Sequence, residues 1–196
     1  MLRKYVYEGA LIVFSVLFAL FITKTYEQYQ TNQKKKIAEA SILRELYRNQ
    51  SILKVWKENH SEVRDRISEV VNGDADSLRQ AMMGFEYLNL GLLTNDESLV
   101  NAILINTAWE SAKTTGIITE FDYSIIQQLT LVCNMQEMLM DRTLMEILDY
   151  YFDAESHDIR KLDQVLRQFQ LRFVELTGQE ELMTVLYSEA IETLQK

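Results

Sequence analysis

The sequence predicts an all-α protein in which an N-terminal transmembrane helix continues into a long stalk helix that packs in a helical bundle. Three observations predict this fold class. The 196-residue chain has no proline and only six glycines, so few positions interrupt a helix. One long apolar run stands near the N-terminus. In most of the remaining chain, apolar residues recur at helical spacing.

The apolar run from Val6 to Thr23 predicts a membrane anchor, assigned to residues 1–25. It has 18 residues and is interrupted only by Glu8. As a helix it is about 27 Å long, close to the roughly 30 Å hydrocarbon core of a bilayer. The alternative is a cleavable signal peptide, but the bulky end of the run, Leu20-Phe-Ile-Thr-Lys-Thr-Tyr26, offers no small-residue cleavage site.

Charged residues near the anchor bear on its orientation and its contacts. Arg3 and Lys4 lie directly before the run. Lys24 follows it, and Lys34, Lys35 and Lys36 stand further along, so the two sides nearly tie over the usual window of ~15–20 residues. The nearest charges favour an N-terminus inside and a C-terminal domain outside. Glu8 is costly within a membrane span, so it is expected to reach headgroup water, or to pair with Arg3, Lys4 or a basic residue of another subunit.

Residues 26–72 predict the stalk helix. No glycine occurs from Ala10 to Val71, and Asn72-Gly73-Asp74 supplies a helix stop. Two rows recur every seven residues and form a coiled-coil-like seam: Ile42, Asn49, Trp56, Val63 and Val70, and Leu46, Leu53, His60 and Ile67. We expect the seam to pack on later helices of the same chain. The alternative is self-association, in which Asn49 sets the register.

Residues 73–196 predict an acidic helical bundle that packs with the stalk. Between Leu131 and Phe152, 14 of 22 residues are apolar and surround the helix, which predicts a central position. Charges within that segment exclude a second membrane span. The expected elements are a short helix from Asp76 or Ser77, a loose stretch at 85–90, and helices at 99–112, 122–152, 157–177 and 180–194.

The charge distribution narrows the class of partner. Residues 1–71 carry a net charge of +4 and residues 72–196 a net charge of −13. An acidic surface repels nucleic acid, so no nucleic-acid partner is expected. A protein with a basic surface is the expected partner of the distal helices.

Few residues carry catalytic or ligand-binding chemistry. The two histidines belong to no nucleophile or metal motif, and Cys133 is expected in the core. One weak metal candidate exists, because carboxylates and an imidazole recur at helical spacing: Glu146, Asp149, Asp153 and His157. The same spacing is typical of a solvated acidic face. We therefore expect no enzyme and no cofactor.

Several short motifs resemble a family of uncharacterised bacterial single-pass membrane proteins. They are Glu8 before the apolar run, Leu43-Arg-Glu-Leu46, Asn49, Leu53, Ala108-Trp109-Glu110 and Thr115-Gly116. The resemblance implies an N-terminal anchor in the bacterial inner (cytoplasmic) membrane, a helical stalk and a Trp-containing helix that ends at a glycine. It implies no chemistry. The charges nearest to the anchor favour a domain on the periplasmic side.

Together these features favour a membrane-anchored binding or scaffold protein, an accessory subunit of a membrane protein complex. The expected partners are the lipid bilayer and either a membrane protein complex or a second copy. The candidate contact residues are Glu8, Ile42, Leu46, Asn49, Leu53, Trp56, His60, Val63 and Ile67. The alternative is a membrane-bound sensor bundle that binds a small ligand or ion and acts through a separate signalling partner.

Overall fold

A computed structural model describes residues 2–195 of the chain, with side chains from residue 7 onwards. Within these residues every regular element is helical, which confirms the all-α class. The α-helices are α1 Leu2–Asn72, α2 Asp76–Met82, α3 Gly91–Thr94, α4 Thr107–Thr114, α5 Tyr123–Glu137, α6 Met145–Phe152 and α7 Leu162–Leu194. A π-helical segment, Met138–Leu144, joins α5 to α6, and 3₁₀ turns lie at Ile117–Glu120, Ala154–His157 and Ile159–Lys161.

Helix α1 runs without interruption for 71 residues. It therefore contains both the predicted anchor and the predicted stalk, and it extends about 107 Å. It ends where Gly73 adopts a left-handed φ of 84°. Beyond this turn the amide of Asp74 donates to the carbonyl of Glu69 at 2.9 Å, which caps the last turn.

The N-terminal part of α1 is long and apolar enough to cross a membrane. Its most apolar 18-residue window has a mean hydropathy of 1.8, and none of that window is buried within the chain. A signal sequence has the same length and composition. The structure therefore supports a candidate span. The side chains of Arg3 and Lys4, which the sequence suggests as partners of Glu8, lie outside the described residues.

The second half of α1 forms the centre of the bundle. Helix α7 runs antiparallel to it, since Gln50 donates to Ser188 whereas Arg64, further along α1, donates to Thr177. Helix α5 also packs on α7, where Tyr187 donates to Gln136, and Asn49 of α1 donates to the same Gln136 oxygen. The stalk thus packs in a bundle with later helices of its own chain, as predicted.

The predicted helix over 99–112 is wrong in its first half, because α4 begins at Thr107. Residues 95–106 instead form a strap that lies along α1. Side chains of α1 satisfy its backbone: the Asn49 amide accepts from the N–H of Ile105 and donates to its carbonyl, and Arg48 donates to the carbonyl of Ile103. These bonds replace the ones that a helix makes internally.

The two predicted C-terminal helices are one helix, α7, of 33 residues. Gly178 does not end it, because a glycine inside a helix costs only about 1 kcal/mol, which the burial of flanking side chains outweighs. The helix also begins at Leu162 rather than at His157. Asp153 and Asp158 cap two 3₁₀ turns ahead of it, accepting from the amides of Glu155 and Arg160.

Candidate binding surfaces

The predicted contact residues of the stalk are occupied inside the chain. The side chains of the seam are all buried: Ile42, Leu46, Asn49, Leu53, Trp56, His60, Val63 and Ile67. The indole N–H of Trp56 donates to Asn101 of the strap at 3.0 Å. The surface that a second copy would need is therefore already covered by α7 and the strap. Glu8 lies on the exposed N-terminal part of α1.

A buried pair, His60 and Glu180, connects α1 to α7. Both residues have no solvent exposure. The Nδ1 atom of His60 lies 2.5 Å from Glu180 Oε1, and Nε2 lies 2.8 Å from the carbonyl oxygen of Leu99 in the adjoining segment. Glu180 Oε2 has no hydrogen-bond partner. Because both side chains are fully buried, the pair ties α1 and α7 together.

The four weak metal candidates do not share one helical face. Helix α6 ends at Phe152, so Asp153 and His157 leave the face that carries Glu146 and Asp149. Both ring nitrogens of His157 lie at hydrogen-bond distance from backbone carbonyl oxygens. Its Nδ1 lies 3.0 Å from the carbonyl oxygen of Leu88, and its Nε2 lies 2.9 Å from that of Tyr151. Among the described residues, no group of three or more His, Cys, Asp or Glu side chains is placed to hold a metal ion.

The remaining sulfur and phenol groups inside the bundle are not activated. Burial raises the pKa of the Cys133 thiol to about 12, and it also raises the pKa of the Tyr187 phenol. A thiol with a raised pKa is a poor nucleophile at neutral pH. Cys133 is half-buried and packs against the core rather than within it.

Helix α7 exposes an apolar stripe on the side opposite its buried face. Leu171, Val174, Leu182 and Val185 are about half or more exposed. Their spacing of three, eight and three residues, with Gly178 between them, places them along one side of the helix. We call this set the α7 stripe. No described residue of the chain covers it.

A groove of about 390 Å³ lies between the π-helical segment and α7. Arg142, Glu146, Arg172 and Glu175 line it together with apolar Met138 and other residues. The guanidinium of Arg172 lies 4.5 Å from the ring centre of Tyr150, and its Nε is buried without a hydrogen-bond partner. A π-helical turn and an unsatisfied donor are both features of ligand sites.

Aromatic side chains form a chain of contacts at the end of the bundle where α1 stops. The ring centres of Phe85 and Tyr87 lie 6.2 Å apart, Tyr87 contacts His157 at 6.4 Å, and His157 contacts Tyr151 at 6.2 Å. Tyr151 in turn contacts Phe152 at 5.2 Å. We call Phe85, Tyr87, Tyr151 and Phe152 the aromatic tip.

The aromatic tip is the acidic end of the bundle. Its two segments, residues 74–90 and 149–163, carry eight acidic and three basic residues. All three basic residues are paired within the tip: Arg79 with Asp163, Arg160 with Asp158 and Lys161 with Glu155. The hydrogen bonds from Arg160 lower the pKa of Asp158 to about 2. Five carboxylates have no basic partner in the described chain: Asp74, Asp76, Glu86, Asp149 and Asp153.

Comparison with protein-family models, curated proteins and solved structures finds no match to this chain. The function is therefore argued from the geometry of its surfaces.

Sequence reasoning missed Glu180, Arg172 and the aromatic tip. Glu180 lies 120 residues from its partner His60, and no local pattern connects two such positions. A signal for the tip is present in Gly84-Phe-Glu-Tyr-Leu-Asn-Leu-Gly91, where two aromatic residues stand in a stretch without helical periodicity. Aromatic residues outside a periodic pattern often serve binding rather than a core.

Proposed function

We propose that the protein is a membrane-anchored helical scaffold that acts as an accessory subunit of a membrane protein complex. Helix α1 carries this proposal. Its first third is apolar and uncovered, and its second half is the centre of the bundle. Because no turn separates the two parts, the bundle is held at a fixed height and angle relative to the anchor. Such a rigid connection suits a protein that positions a partner, and it requires no catalysis.

The proposed location is the bacterial inner membrane, with the bundle on the periplasmic side. The charges of Arg3 and Lys4 directly before the anchor support this orientation. Glu8 stands at the same end of the span. There it reaches headgroup water, or pairs with Arg3, Lys4 or a basic residue of a neighbouring subunit.

The α7 stripe supports a protein partner along the side of the bundle. Contiguous exposed apolar residues on a helix mark an interaction surface more often than scattered ones do. The stripe is flanked by Glu175 and Glu181, so a partner helix with apolar and basic residues fits it.

Crosslinking of the tagged full-length protein within native membranes tests this proposal. We expect a foreign membrane protein to be recovered at near-stoichiometric amount, and to be lost from the variant Leu182→Lys. A matched control is Leu131→Lys, which changes a similarly exposed leucine on α5. Recovery of self-crosslinked species alone contradicts the proposal.

The groove beside the π-helical segment favours a second candidate function, a membrane-bound sensor. Its two arginines, Arg142 and Arg172, are the groups that suit a small ligand with an acidic group. Ligand binding to the native state raises its melting temperature. A panel of carboxylate and phosphate compounds should then shift the melting temperature of the full-length protein but not that of Arg172→Gln. No shift with any compound contradicts the sensor.

A further inference from the structure

The aromatic tip lies at the end of the bundle that is furthest from the anchor. Helix α1 ends there at Asn72, α6 ends there at Phe152, and α7 begins there at Leu162. From Thr23 to Asn72 the helix spans about 74 Å, so the tip stands well beyond the headgroups of a bilayer that holds the anchor.

The rings of the tip are exposed although they are held in place. Phe152 is 75% exposed, and Phe85 and Tyr87 are 58% and 57% exposed. Two backbone hydrogen bonds fix the loop that carries Phe85 and Tyr87, from Leu88 N to the carbonyl of His157 at 2.9 Å and from Asn89 N to that of Met82 at 3.0 Å. A fixed group of exposed rings gives up little conformational freedom when a partner binds.

The negative charge around the rings favours a cationic partner. The tip has an excess of five acidic residues, and its own basic side chains are already paired. Exposed aromatic faces attract cations, and the attraction adds to that of neighbouring carboxylates. A second copy would bring the same negative charge to the surface, and an anionic lipid surface is repelled as well. Cationic side chains are therefore the matching chemistry.

We propose that the aromatic tip binds a lysine- or arginine-rich segment of a partner protein. The cationic groups of that segment lie over the rings of Phe85 and Tyr87, next to the carboxylate of Glu86. The rest of the segment extends towards the carboxylate of Asp153. This inference rests on the proposed scaffold function, because it names the chemistry of the partner and the place where it docks.

Binding of a defined basic peptide to the full-length protein in detergent micelles tests the proposal. The probe is a fluorescent twelve-residue peptide of alternating Lys, Gly, Arg and Ser, and its anisotropy is titrated at two salt concentrations. We expect the double variant Phe85→Ala/Tyr87→Ala to weaken binding by roughly 5- to 30-fold, because two cation–aromatic contacts are lost. Glu86→Lys should weaken it several-fold, and added salt should weaken binding to the wild type.

Matched control variants lie at the opposite end of the bundle. Tyr123 is 73% exposed at the start of α5, and Glu120 is exposed just before it. Tyr123→Ala and Glu120→Lys repeat the same changes there, and both should leave the peptide affinity within about twofold. Equal weakening by tip and control variants would mean non-specific attraction to an acidic domain, and it would overturn the proposal. No weakening by either tip variant would overturn it too.

Photocrosslinking in native membranes separates this inference from the scaffold proposal. A photoreactive phenylalanine is placed at Tyr87 or, as the control, at Tyr123. We expect a foreign protein at Tyr87 only, joined through a peptide that contains Lys or Arg. Capture through the α7 stripe but not at Tyr87 leaves the scaffold standing and refutes the tip. Absence of any foreign protein refutes the scaffold. A self-crosslink at Tyr87 identifies a second copy as the partner and refutes the basic segment.

Discussion

Helix α1 has two parts in different surroundings. The first part is the candidate span, residues 7–23, and the second is the segment from Ile42 to Asn72. In the first part, large apolar side chains such as Leu11, Phe14 and Phe21 are all more than 65% exposed. In the second part, Leu53, Trp56 and Ile67 are no more than 1% exposed, because α7 and the strap cover them. One secondary structure thus carries two apolar surfaces, of which the chain itself covers only one.

This difference shows how the helix is adapted to two media. The covered part alternates buried apolar residues with polar ones on the outside, at heptad spacing. The uncovered part is apolar all round, which is typical of a helix in lipid. We propose that the bilayer covers the first part as the bundle covers the second.

Breaking the buried pair should have the largest effect on the covered part. Glu180→Leu leaves His60 without its carboxylate in a fully buried place, and we expect a loss of about 3–5 kcal/mol in the free energy of unfolding. The double variant His60→Leu/Glu180→Leu should lose less than the sum of the two single variants.

The neighbouring residue supplies the control for this experiment. Glu181 pairs with Lys57 on the surface, and its side chain is 62% exposed. Glu181→Leu should therefore cost less than about 1 kcal/mol. Denaturant unfolding of all four variants in micelles measures the difference. Equal losses from Glu180→Leu and Glu181→Leu would show that the buried pair is not formed.

Leucine truncation compares the two parts of α1 directly. Leu53→Ala should cost about 2–5 kcal/mol in the unfolding of the bundle, because it opens a cavity in a close-packed core. Leu17→Ala makes the same change on the uncovered part, and we expect an effect on bundle unfolding within about 0.5 kcal/mol. The free energy is read from the bundle's aromatic fluorescence. Similar losses for both variants would mean that the first part of α1 also belongs to the folded core.

Gly178→Ala tests the continuity of α7 and should stabilise the protein by up to about 1 kcal/mol. A Cβ at this position meets no atom within 4 Å, and alanine is the better helix former. If the helix ended at Gly178, as the sequence predicts, alanine would be strained and destabilising. The sign of the shift in melting temperature distinguishes the two structures.

The buried thiol should give the smallest effect. Because the pKa of Cys133 is raised to about 12 in the native state, the unfolded thiol ionises first as the pH rises. The thiol's contribution to the free energy of unfolding is constant below the unfolded pKa of about 8.5. It declines as the pH rises from that value to about 12. From pH 8 to pH 9 the wild type should lose less than about 1 kcal/mol relative to Cys133→Ala. An identical pH dependence of the two proteins would place the thiol in solvent.

The sequence was sufficient for features that depend on local periodicity. The continuity of α1 and the burial of Leu53, Trp56 and Ile67 follow from the heptads and the absence of helix breakers. Features that depend on distant contacts were missed. The strap replaces a helix because Asn49, 56 residues away, bonds to Ile105. Gly178 lies inside a helix because tertiary packing outweighs its local preference.

The surfaces were the least predictable part. The tip results from two segments that are joined by Leu88 and His157, which are 69 residues apart in the chain. Its net charge, by contrast, follows from composition, because the excess of acidic residues in the distal half is visible in the sequence. The negative charge of residues 72–196 could therefore be predicted from the sequence. The positions of the exposed rings became known only from the fold.

We propose that one helix, α1, passes from lipid to the core of the bundle. Spin labels placed singly along residues 8–70 of the reconstituted protein, on a Cys133→Ser background, test it most directly. We expect labels at 11–22 to be accessible to oxygen but not to a polar nickel reagent, whichever way they point, and labels at 26–37 to be accessible to the nickel reagent. From Ile42 onwards, protection should follow the heptad rows. Nickel access at Phe14 in an intact chain would contradict the account.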